Sequence, residues 1–193
     1  MNDLAKQFLL KFKQFTPEDI SLILENTTVE TFKKGEIVLK EGIISNKCYL
    51  VIEGTLRQFK LIDGEEKTNA FFFEEDPIIS YSGYLNNEPS EYAVQCLEDT
   101  ILISGTKAQE LKMRQVNPLL EYLAHHIMVN DFKKAENYIS LLNNFNPEER
   151  YQLVLKNNPK LFKRVSLVYI ASYLGVTPES LSRIRKRILN NNK

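Results

Sequence analysis

The chain has no tryptophan, two histidines and two cysteines among its 193 residues, and its charges cancel, 25 Lys and Arg against 25 Asp and Glu. Each scarcity excludes something. Cys48 and Cys96 stand alone, without the Cys-x-x-Cys spacing of a zinc or redox site, and two cysteines build no disulfide framework. They read as buried thiols of a reducing compartment. His125 and His126 are neighbours in one helical stretch. About 100° apart on a helix, they cannot face one metal together. A metal-binding roll of the cupin type, the enzyme alternative, takes His and Glu ligands from strands, and neither histidine lies in strand-like sequence. No nucleophile elbow or P-loop is present. No apolar run reaches the roughly 18 residues of a membrane helix. Met1-Asn2-Asp3-Leu4 lacks the basic and then apolar start of a signal peptide. These absences lead to expectations: no catalytic residues, no metal, no cofactor, no membrane partner and a cytoplasmic location.

Neutrality conceals a division. Residues 150–193 hold ten Lys and Arg and one acid, Glu179, for a net charge of +9, which leaves −9 on residues 1–149. A basic end on an acidic body points to a polyanionic partner for that end only.

The same end carries a helix-turn-helix pattern from Val165 to Ile188. Ser166 is placed to cap a first helix that runs to Leu174. Gly175 suits a left-handed turn. Thr177 is a candidate N-cap, Pro178 fits the first helical position and Glu179 the first turn. Ile170, Leu174, Val176, Leu181, Ile184 and Ile188 share one apolar face. Ala171 is small enough for two helices to cross closely. At about 100° per residue, Glu179, Ser182, Arg183 and Lys186 point away from that face, with Ser180 and Arg187 on its flanks. Arg183 can read a guanine edge, and Glu179 can accept from a cytosine amine. Thr177, Ser180, Lys186 and Arg187 suit phosphates. The candidate DNA-binding set is therefore Thr177, Pro178, Glu179, Ser180, Ser182, Arg183, Lys186 and Arg187. An interaction module whose terminal helices bind a protein is the other reading of this end.

Upstream, two short helices, Asp3 to Phe15 and Thr16 to about Glu25, precede strand-like runs at 36–39, 48–52, 55–62, 67–73, 92–97 and 100–104. Asp63-Gly64 between two of these runs signals a hairpin. Short strands at this spacing suggest a small antiparallel roll. A helical stretch follows from about Thr106 to Asn143, broken near Asn117-Pro118. In it Met128, Phe132, Ala135, Ile139 and Leu142 repeat at heptad spacing, as in the seam of a dimeric coiled coil. Asn146-Pro147-Glu148-Glu149 opens a further helix, so the domain boundary is expected at Asn143–Pro147.

Lys34-Gly35-Glu36, Glu41-Gly42, Tyr49-Leu50-Val51-Ile52-Glu53-Gly54 and the terminal helix-turn-helix together resemble the Crp/Fnr family of bacterial transcription regulators, over roughly residues 31–188. The implied fold is α+β. An N-terminal antiparallel β-roll (jelly roll) with flanking helices spans 1–116 and is a cyclic-nucleotide-binding-like sensor. A long dimerisation helix spans 117–144, and a C-terminal all-α helix-turn-helix domain spans 145–193. The resemblance further implies a homodimer on a two-fold operator in double-stranded DNA that recruits or blocks RNA polymerase. Where the family's recognition helix carries Arg, Glu and Arg base contacts, this chain has Pro178, Glu179 and Arg183, so the familiar half-site is not implied.

The sensor departs further. Family members that bind a cyclic nucleotide hold its ribose with a glutamate and its phosphate with an arginine. The matching positions here are Ser80 and Ser90, with Glu91 beside the second. A phosphate would meet Glu91 and no arginine, which argues against a cyclic nucleotide. Ser80, Tyr81, Ser82, Tyr84, Ser90, Glu91 and Tyr92 are left as candidates for an unknown small-molecule effector, or as the lining of a filled pocket. Only residues 157–165 could supply a β-hairpin wing before the first helix of the motif, so a reduced or absent wing is expected.

Overall fold

The computed structural model describes residues 2–191; Lys193, part of the basic count, lies outside them. Helices α1 (Asn2–Leu9) and α2 (Pro17–Glu25) come first. The Thr16 hydroxyl accepts from Asp19 N–H at 3.2 Å, and the Asp19 carboxylate accepts from Thr16 N–H at 2.8 Å. This reciprocal cap fixes the start of α2. α1 ends before the expected Phe15, and the chain turns so that Phe8, Phe12 and Phe15 meet with ring centroids 5.4 and 5.8 Å apart. Aromatic packing outweighs helical periodicity here.

Two four-stranded sheets follow. The first is antiparallel, in the order β1 (Thr28–Phe32), β8 (Thr100–Thr106), β3 (Lys47–Glu53), β6 (Pro77–Ile79). The second runs β2 (Ile37–Leu39), β7 (Ala93–Cys96), β4 (Leu56–Ile62), β5 (Glu65–Phe72). β1 and β6 lay outside the strand-like runs; each pairs along a longer neighbour, β1 with β8 and β6 with β3. Asp63 (φ 52°) and Gly64 (φ 81°) are both left-handed, as a two-residue hairpin of the twist-matching type requires. Strand alternation divides the core. Tyr49, Val51 and Leu102 face inward onto Leu39, Leu56, Ile78, Val94 and Cys96. Ile52 and Ile103 face the other way, onto Phe8, Leu9, Ile20, Ile23 and Met113. Each such side chain contributes about 1.5–3 kcal/mol when fully buried.

Thr106 and Gln109 cap α3 (Lys107–Val116) reciprocally. The expected break falls at Asn117, whose Oδ1 accepts from Leu119 N–H at 2.9 Å as α4 (Pro118–Asn144) begins. Proline cannot continue the preceding helix without losing a hydrogen bond.

The chain separates into two compact units, Met1–Gln58 with Phe71–Met128 and Phe59–Ala70 with Val129–Lys193. The division falls within α4, not at the expected 143–147. The C-terminal half of α4 packs with the later helices. Leu141 is buried, and Tyr138 stacks on Tyr173 at 4.7 Å while donating to its carbonyl at 3.1 Å. The hairpin tip, 59–70, joins the second unit through Ser172. This hydroxyl accepts from Thr68 N–H at 2.9 Å and donates to the Glu66 carbonyl at 3.3 Å. β5 ends its sheet, and an edge strand's free backbone groups need such partners.

The rest of the second unit is helical: α5 (Pro147–Asn157), α6 (Leu161–Arg164), α7 (Leu167–Tyr173) and α8 (Pro178–Asn191). Leu161, Ile170, Ala171, Leu174 and Leu181 form its core. Among the described residues beyond 144 there is no strand. The stretch considered for a wing forms α6 instead, since buried Leu161 anchors it to the core.

Candidate nucleic-acid interface and sensor pocket

The turn between α7 and α8 is built from both sides. Val176 N–H donates to Ala171 C=O and Gly175 N–H to Ser172 C=O, each at 3.0 Å. Gly175 sits at φ +68°. This is the paired-bond ending that favours glycine. Arg150 of α5 closes it: Nη1 donates to Leu174 O at 2.6 Å and Nε to Phe145 O at 2.9 Å. A Cβ on Gly175 would lie 3.1 Å from Arg150 Nη1. Arg150, counted with the basic end, thus holds the turn, a role that local spacing could not reveal. Ser166 occupies the N-cap of α7 but its hydroxyl makes no capping bond. Thr177 does cap α8, accepting from Ser180 N–H at 3.2 Å.

On α8, Leu181 and Ile184 are buried against α7. Thr177, Pro178, Glu179, Ser182, Arg183, Lys186 and Arg187 are exposed, and Ser180 is half-buried. The periodicity had placed this face correctly. Glu179 is held below the usual carboxylate range by its own backbone N–H, then by the Thr177 hydroxyl, with Arg183 adding attraction. It stays anionic at neutral pH. Arg187 differs from the expectation of a free phosphate contact: Nη2 lies 2.5 Å from Glu148 Oε2 of α5.

The α4 seam residues do not all point one way. Met128, Phe132 and Ile139 are 50%, 66% and 59% exposed, and Ala135 is exposed with them. Leu142 is corrected out of this stripe. It is half-buried, with Cδ2 3.8 Å from the place a Gly175 Cβ would take, because α4 ends against the helix-turn-helix turn.

The seven sensor residues do not line one pocket either: only Tyr81 and Tyr84 face a cavity. Ser80 and Ser90 are buried. Ser90 Oγ donates to Tyr92 O at 2.8 Å, Tyr92 OH to Ile79 O at 2.7 Å, and Ser82 Oγ to Pro89 O at 3.1 Å; Ser80 and Ser82 hydroxyls lie 3.3 Å apart. Glu91 is exposed. The segment satisfies its hydroxyls from its own backbone, as buried polar groups must. Tyr81 and Tyr84 turn elsewhere, to a half-open cavity of about 220 Å³. It lies on the face of the first sheet turned away from the roll interior and is walled by β3, β6, β8, α3 and α4. Cys48, Leu50, Ile79, Ile103, Met113 and Ile127 supply apolar surface. At its polar end Tyr84 OH donates to Glu110. Arg114 donates to Glu110 at 3.0 Å and to Glu121 at 2.5 and 2.7 Å. Burial, then the Glu110 bond, pushes the Tyr84 hydroxyl above its ordinary pKa. Burial likewise pushes the Cys48 and Cys96 thiols up to about 11. Of its lining only Tyr81 and Tyr84 stood among the candidate effector residues, since the other walls come from segments far apart in the chain.

Among the described residues no group of three or more His, Cys, Asp or Glu could hold a metal, and no helix is long and apolar enough to cross a membrane. Residues 29–116 match the family model of the cyclic nucleotide-binding domain. The chain is 25% identical over 170 residues to the anaerobic regulatory protein of Pasteurella multocida, a match that covers 81% of this chain and 61% of that protein's length. It is 27% identical over 173 residues to the transcriptional activator protein Anr of Pseudomonas protegens, covering 82% and 69%. Among solved structures, FixK2 from Bradyrhizobium japonicum has the same fold, with a TM-score of 0.71 at 21% identity and 86% of each chain covered.

Proposed function

We infer that the chain belongs to the Crp/Fnr family of transcription regulators, and we propose that it binds a two-fold operator as a homodimer, without control by a cyclic nucleotide. The observation that carries this is the outward face of α8. Glu179, Ser182, Arg183 and Lys186 stand in water on a helix whose opposite side is buried. A helix so presented fits the major groove with its N-terminal residues at base edges. Arg183 donates both guanidinium bonds to a guanine, and anionic Glu179 accepts from a cytosine amine. Lys186 and Thr177 hold phosphates and set the register. Met128, Phe132, Ala135 and Ile139 supply the dimer seam, an apolar stripe whose exposure a second α4 removes. A cytoplasmic location and contact with RNA polymerase are further parts of the same reading.

Selection of bound duplexes from a random pool tests it, alongside sedimentation of the chain alone. The expected outcome is a symmetric site with half-sites about 34 Å apart, one turn of DNA, bound by a dimer at micromolar concentration. Enrichment of asymmetric sequences by a monomer would remove the proposal.

A further inference from the structure

The cavity on the outer face of the first sheet is a place where a small molecule can act: Tyr81, Tyr84 and Leu85 help to wall it, while the hydroxyls of Ser82, Ser90 and Tyr92 close on neighbouring backbone carbonyls. We propose that it binds a neutral, largely apolar molecule of about ten heavy atoms. Size sets the upper bound. An apolar cavity of about 150 Å³ takes up benzene, and this one measures about 220 Å³, enough for a fused bicyclic ring. Charge sets the class. Glu110 already accepts from Tyr84 and Arg114, and Arg114 donates to Glu110 and Glu121. An anion meets two carboxylates around one engaged guanidinium, and a cation meets acceptors already taken. The Cys48 thiol donates to the Gly105 carbonyl at 3.3 Å. The remaining wall offers carbon, from which water is readily displaced by an apolar group. Ala124 and Ile127 of α4 form one side, so an occupant rests against the helix that carries the exposed stripe. The proposal stands apart from DNA binding, and its failure leaves that reading untouched.

Indole is the probe. It is neutral and of the right size, and when excited beyond the tyrosine absorption band its fluorescence is seen alone because the chain has no tryptophan. Titrating the full chain into indole should give a saturable blue shift and anisotropy rise, one site per chain. The dissociation constant should fall at about 0.1–1 mM, the range for so small a ligand. At ten times that concentration, indole favours the folded state about elevenfold, seen as a raised melting temperature. Ala124→Phe, which fills the cavity from α4, should weaken binding at least tenfold while the protein still melts cooperatively. Ile79→Phe fills it from β6 and serves if the first variant does not fold. Linear, non-saturable uptake by the wild type, or binding unchanged in a folded filled variant, would overturn the proposal.

Discussion

Helices α4 and α8 and the segment Ser80–Tyr92 treat their side chains in opposite ways. On α8, Arg183 and Lys186 stand in water, and on α4 so do Phe132 and Ile139. In the sensor segment Ser82, Ser90 and Tyr92 donate to neighbouring carbonyls. The difference teaches where a partner is needed. Side chains that the chain leaves unsatisfied, a donor aimed outward or a ring in solvent, are those an external surface can complete. A segment that satisfies itself offers a ligand only the energy left after breaking its own bonds, and that is small.

The largest break comes at α4. Phe132→Asp places a charge where the seam is to be dry, at several kcal/mol. Sedimentation should show monomers and mobility shifts should show operator affinity lowered by more than a hundredfold. An unchanged dimer would mean that the exposed stripe serves something else. Next is Arg183→Ala, expected to lose about 1–3 kcal/mol on the preferred site and to flatten its sequence preference. If repeat selection returns the same sequence, the reading face is misassigned. Smaller is the pair Lys186→Ala and Arg187→Ala. The first should lower the salt slope of binding by about one. The second should lower it less, because Glu148 already neutralises Arg187 in the free chain. Equal slopes for the two would show that this ion pair opens on DNA. The smallest expected effect is none: cyclic AMP and cyclic GMP at about a hundred micromolar should leave melting temperature and DNA affinity unchanged. A bound ligand at 100 times its dissociation constant would add about 2.7 kcal/mol, so calorimetry would expose any error.

What could be seen in the sequence followed the range of the interaction. The α8 face was legible because a period of 3.6 residues fixes which side chains share a side, and Thr177-Pro178-Glu179 marked its start. The Asn117-Pro118 break and the Asp63-Gly64 hairpin are equally local. Arg150 entered only as a count in the basic end, since its acceptor, Leu174 O, lies in another helix. Leu142 fits the heptad by spacing, yet it faces Gly175 because α4 abuts the turn there. The effector residues were placed by position in a resemblance. Position does not say that Tyr84 would reach Glu110 on α3 while Tyr92 reached Ile79 on β6.

The two thiols give the roll a clock. Cys48 lies in the first sheet and Cys96 in the second. Burial holds both thiols protonated at pH 8, with values pushed up to about 11. A bulky disulfide reagent labels each thiol faster as the structure around its sulfur opens, and parts of a fold open locally below the cost of global unfolding. Cys48, at the cavity wall, should be labelled first, and Cys96 only when the roll itself comes apart. The interval between the two events measures how far the outer face breathes while the interior holds.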